Sequence, residues 1–136
     1  MPHMKTTYIK AAAVLGMIAI ILGAFGAHAL KKVLSVDQLA TFETGVRYQM
    51  YHALFLLLVG QLDMLSQKAS KAIYYLVLSG VALFSGSIYL LATNSLTSFD
   101  FRIIGFVTPI GGLLLIIAWF VLLASIFDKK SQNRQN

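Results

Sequence analysis

The chain has 136 residues, 58% of them hydrophobic and 12% charged, where a soluble domain carries about 25% charged residues. A soluble fold of this size cannot hide so much apolar surface, so the surplus must face lipid. The absence of cysteine excludes disulfides, thiolate nucleophiles and thiolate metal sites. The net charge of +6 flanks apolar runs and forms no basic face with interleaved aromatics, which excludes nucleic-acid binding.

Met1-Pro2-His3 reads as a cloning remnant before a natural start at Met4, and His3 is set aside with it. The first predicted span covers 8–30. Ala11 to Ala27 holds no charged or strongly polar residue, and Lys5, Lys10, Lys31 and Lys32 bracket it. The run exceeds the 7–15 residues of a signal-peptide core, which favours an uncleaved span. Ala12, Gly16, Ala19, Gly23 and Gly26 follow one another at i+4 and i+3 steps. Small residues on one stripe let a second helix approach closely, so this stripe is a predicted packing face.

Ser35 followed by Gln38 has the spacing of a capping box. It predicts a helix start near Val36, either an extra turn or interfacial segment ahead of a second span over 48–62 or a direct continuation into that span. The third span is expected over 72–92 and the fourth over 103–127, with Pro109 inside it as a kink. Residues 128–136 read as a solvated tail. The fold class is therefore all-α, a single integral membrane domain built as a four-helix bundle. Lys5, Lys10, Lys68, Lys71, Lys129, Lys130 and Arg134 fall on one side, against Lys31, Lys32, Arg47 and Arg102 on the other. Basic residues accumulate in the cytoplasm, so both termini are expected there, in a multi-pass protein of the cell membrane.

The alternating direction of four spans brings His28, the segment 47–52, Ser85 to Tyr89 and Thr108 toward one membrane face. Buried polar groups in a bilayer turn to the bundle interior or to a water-filled cavity. The candidate ligand-binding set is His28, Arg47, Tyr48, Gln49, His52, Ser85, Tyr89 and Thr108. The bland alternative for the second helix is an ion pair between Glu43 and Arg47, four residues apart, with Tyr48 and Tyr51 as interfacial aromatics. His28 and His52 are expected to form a hydrogen-bonded pair between the first two helices. Two imidazoles without a free carboxylate or thiolate are too few for a metal site, and no cofactor is implied. A serine nucleophile would lack the carboxylate that orients its base, so no enzymatic activity is expected.

Four motifs carry a resemblance. They are Gly23-Ala24-Phe25-Gly26-Ala27-His28-Ala29-Leu30, Thr44-Gly45-Val46-Arg47-Tyr48-Gln49-Met50-Tyr51-His52, Leu83-Phe84-Ser85-Gly86-Ser87-Ile88-Tyr89, and Thr108-Pro109-Ile110-Gly111-Gly112, with Trp119 beyond. In this order they resemble the small bacterial inner-membrane proteins of the YgdD/YwdK type, which have small transmembrane relatives in animals. The resemblance implies a four-helix integral membrane protein and no reaction. Two functional readings stay open. One is a non-enzymatic bundle whose polar half-pocket binds a small polar ligand or lipid headgroup, or supports a homo-oligomer. The other is a small transporter or channel with its pore between protomers.

Overall fold

The computed structural model describes residues 2–132, with side chains from Lys5 to Asp128. All regular structure among them is helical. Four long helices, α1 (Pro2–His28), α2 (Val36–Val59), α3 (Gln67–Ala92) and α4 (Val107–Gln132), are joined by short turns. Three segments, Lys5–Lys32, Gln67–Ala92 and Phe101–Asp128, are long and apolar enough to cross a membrane.

The capping box forms as predicted. The Ser35 amide donates to Gln38 Oε1 at 2.9 Å, and the Gln38 amide donates to Ser35 Oγ at 3.2 Å. From this cap α2 runs unbroken to Val59. The extra segment expected before the second span is thus the first half of α2 itself, and Tyr48 lies at mid-helix instead of at its start. Ser66 caps α3 through the Ala69 amide, at 3.1 Å. The fourth span expected over 103–127 falls within the apolar segment Phe101–Asp128, but its helix begins later. Phe101–Ile104 form a separate 3₁₀ turn, and α4 opens at Val107. Pro109 therefore sits in the first helical turn, where its missing N–H would have had no intrahelical partner anyway. It starts a helix here and kinks none. The expected loose tail is helical as far as Gln132, and 133–136 lie outside the described residues.

The small stripe of α1 packs on α2. Ala12 and Ala19 are 5% and 1% exposed. Gly16 lies beside Met50 and Ala53, Gly23 beside Val46, and Gly26 against the Phe42 ring. Descending numbers on one helix meet ascending numbers on the other, so the pair is antiparallel. Gly45 of α2 lies under Ile88 and Tyr89 of α3, and Gly80 of α3 under Leu115 of α4. At Gly111 the approach is closest, because a methyl group there would overlap the backbone of Leu83 and Phe84.

Two apolar clusters result. One gathers Phe55, Leu56, Ile73, Val77, Leu115 and Ala118. The other, toward the opposite end, holds Leu30, Leu34, Phe42 and Ala92. Large apolar side chains also cover the outside, among them Ile20, Ile21, Ile116 and Phe120, each more than half exposed.

Candidate functional site

Between the two apolar clusters runs a seam of buried polar side chains. Gln49, His52, Ser85 and Ser87 are each no more than 5% exposed. Such groups are costly in an apolar interior unless they are bonded, and here each is. Tyr89 donates its phenol to Gln49 Oε1 at 2.7 Å, and Gln49 Nε2 donates to the Leu15 carbonyl at 2.9 Å. This relay ties α3 to α2 and α2 to α1. Ser85 donates to the Gly45 carbonyl at 2.7 Å. That bond needs the close approach that Gly45 allows, since a Cβ there would meet the Tyr89 ring at 2.7 Å. The Ser87 and Thr108 hydroxyls share a hydrogen bond of 2.5 Å between α3 and α4, and Ser87 also donates to the Phe84 carbonyl at 3.0 Å.

His52 joins α2 to α4. Its Nδ1 lies 2.7 Å from the Tyr48 carbonyl, and Trp119 Nε1 donates to its Nε2 at 3.2 Å. The Trp119 ring stacks on Phe55 with centroids 4.0 Å apart. Trp119 and Ser87 complete the seam and were absent from the predicted set. Trp119 carried a usable signal. A lone indole N–H within an apolar span needs an acceptor, and a histidine on a neighbouring span supplies one.

Six of the eight predicted residues adjoin the seam. Gln49, His52, Ser85, Tyr89 and Thr108 bond within it, and Tyr48 contributes its carbonyl while its ring packs on Phe84 at 5.1 Å. His28 and Arg47 do not belong to it. His28 is exposed at the end of α1. The α1–α2 register sets His52 near Gly16, about 18 Å of helix rise from His28, so the expected histidine pair does not form. Arg47 is exposed, and it forms no ion pair with Glu43. The ion pairs among the described residues are Lys5–Asp63 and Asp100–Arg102. The common level is also corrected. With α2 starting at Val36, residues 49–52 fall at mid-length of the packed helices and not at one end.

The seam has few unused groups. Among the described residues, the Tyr8 hydroxyl is the buried side-chain polar atom without a partner, and it lies in the other half of the molecule. No group of three or more potential metal ligands occurs among the described residues. The largest cavity described, about 840 Å³, lies between the start of α3 and the end of α4, near Ala69 and Ala124. It is away from the seam.

Polar groups turned inward and bonded, with apolar groups turned outward, define a helical membrane protein. Residues 22–112 match the family model described as Protein of unknown function (DUF423). The chain belongs to this family. It is 39% identical to a UPF0382 membrane protein of Staphylococcus saprophyticus over 88% of this chain and 96% of the relative. It is 38% identical to the membrane protein YwdK of Bacillus subtilis over 87% and 94%. It is 36% identical to the inner membrane protein YgdD of Escherichia coli over 88% of each. No solved structure matches the chain. The protein is an integral membrane protein, as the resemblance implied.

Proposed function

We propose that this is a non-enzymatic four-span bundle that works by association within the membrane, with the polar seam as its internal clasp. One observation carries the reading. The buried seam side chains bond to one another or to main-chain carbonyls, so none is left without a partner and aimed at a ligand. Ser85 donates to a main-chain carbonyl and has no base beside it, and no carboxylate joins the seam. A proton or solute path within one chain is disfavoured as well, because apolar clusters close both ends of the seam.

In this reading α2 is the fourth span. It has 24 residues, about 36 Å at 1.5 Å each, and it lies alongside the uncharged run of α1. Both termini face the cytoplasm. Arg47 at mid-helix leaves the outer side with Lys31, Lys32 and Arg102, which sharpens the basic asymmetry.

Native mass spectrometry from bilayer-like detergent tests the reading. The expected spectrum shows the protein without a stoichiometric small polar ligand. A ligand retained by the native chain and lost on Gln49→Leu would overturn it. A reporter fused after Asn136 should be active only in the cytoplasm.

A further inference from the structure

The outer face of α2 is unlike the outer faces of the other helices. Ala40, Glu43, Arg47, Tyr51, Leu54 and Leu58 recur at steps of three and four, and all are exposed. They form one stripe. Tyr51, Leu54 and Leu58 are 53%, 58% and 53% exposed. Neither Glu43 nor Arg47 takes part in an ion pair among the described residues.

The depth of these charges makes the stripe unusual. The uncharged run of α1 between Lys10 and Lys31 is centred near Ile20. Gly23 beside Val46 and Gly16 beside Met50 and Ala53 set that level next to Gln49. Arg47 is two residues away, about 3 Å along the axis. The headgroups begin about 15 Å from the mid-plane, beyond the reach of its side chain. A guanidinium facing hydrocarbon at that depth is expensive, so something polar must cover it.

We propose that the cover is a second copy of this chain, joined across a two-fold axis so that Glu43 of each copy pairs with Arg47 of the other. The inference rests on α2 being a span. The stripe carries its own complement, an acid and a base one helical turn apart, and a two-fold interface brings each against the other's partner. The geometry resembles the charged pairs that flank coiled-coil seams. Helical side chains lean toward the N-terminus, which carries Arg47 toward the level of the opposite Glu43. Tyr51, Leu54 and Leu58 continue the contact below the charges.

Charge reversal tests the pairing. Arg47→Glu leaves two acids on the stripe, and Glu43→Arg leaves two bases. In nanodiscs the native chain should be dimeric and each variant alone should be monomeric. Co-expressed under different tags, the two variants should copurify as a heterodimer. If they stay apart while each keeps native helix content and melting temperature, the proposal fails. It also fails if the native chain is monomeric with an acidic lipid held at Arg47.

A second test avoids the charges. The chain has no cysteine, so Leu54→Cys introduces a single thiol. Oxidation in membranes should give a disulfide-linked dimer, at least fivefold more than Phe120→Cys, which is on a comparably exposed face of α4. Equal yields would mean random collision and would overturn the interface. Labelling of Leu54→Cys by a membrane-impermeant thiol reagent would instead overturn α2 as a span, and the inference with it. A thiol neither labelled nor cross-linked would overturn the interface alone.

Discussion

The indole N–H of Trp119 points at Nε2 of His52, and the Tyr48 carbonyl faces the opposite ring nitrogen. Indole only donates and a carbonyl only accepts, so one tautomer fits both, the neutral ring with its proton on Nδ1. Nitrogen-15 NMR of labelled protein should show Nδ1 protonated and Nε2 bare. Trp119→Phe keeps an aromatic ring beside Phe55 and strands Nε2. Interhelical hydrogen bonds in membranes contribute less than isolated pairs suggest, so the expected loss is about 0.5–2 kcal/mol in detergent unfolding. The tautomer should also become mixed. An Nε2-protonated ring in the native protein would contradict the assigned contact.

Gln49 is a bridge, so its removal should cost more than one bond. Gln49→Leu leaves the Tyr89 hydroxyl without its acceptor, and a stranded buried group costs about 1–3 kcal/mol. Replacing both partners, as Gln49→Leu with Tyr89→Phe, removes the stranded group. The double variant should then be more stable than Gln49→Leu alone. Additive losses in this double-mutant cycle would show that the two side chains are not coupled.

Two glycines one helix apart should respond in opposite ways to the same change. At Gly111 an added methyl group meets the α3 backbone, which cannot move aside as a side chain can. Gly111→Ala should destabilise the protein by about 1–3 kcal/mol and loosen the Ser87–Thr108 bond. At Gly86 the same methyl meets nothing within 4 Å. Gly86→Ala should be neutral or raise the melting temperature, since alanine is the better helix former by up to about 1 kcal/mol.

The turn before α4 supplies a pH-dependent contact. The Arg102 guanidinium and amide donate to Asp100 and hold its carboxyl down to about 2, from an ordinary 3.8. Asn94 assists, taking the Phe101 amide at 2.7 Å and donating to Asp100 at 3.3 Å. A depressed carboxyl stabilises the fold above its unfolded value and loses that contribution as pH falls. The turn should therefore be fully held above about pH 4 and released as pH drops through about 2. Carbon-13 titration of Asp100 should show the low midpoint, and Arg102→Gln should return it toward the ordinary value.

Residue spacing alone reveals the faces of these helices better than their depths. The stripe from Ala12 to Gly26 was legible because a helix repeats every 3.6 residues, and small side chains in register have few other uses. The Ser35–Gln38 cap was legible because its chemistry is local. The level of His52 was not. Hydropathy starts the second span at Tyr48, and the cap at Ser35 does not say whether the helix it opens at Val36 runs on into that span, as it does. Those 12 residues moved the polar cluster from one end to the middle and separated His52 from His28. Pro109 misled in a similar way, since its role depends on whether the helix has already begun. The Trp119–His52 contact required knowing which face of α4 meets α2, and in a uniformly apolar helix no periodicity marks that face.

Two bonds of the seam cross between helices and end on the main chain, at Leu15 and Gly45. No substitution can delete a carbonyl, so position 15 is free to vary in side-chain identity without dissolving the contact it accepts. Position 45 is constrained by size alone. The information that holds α1, α2 and α3 in register is thus concentrated in Gln49 and Ser85. Apart from the size limit at position 45, sequence drift can erode this fastening from the donor side only, and a comparison of diverged copies should find Gln49 and Ser85 among the positions least free to change.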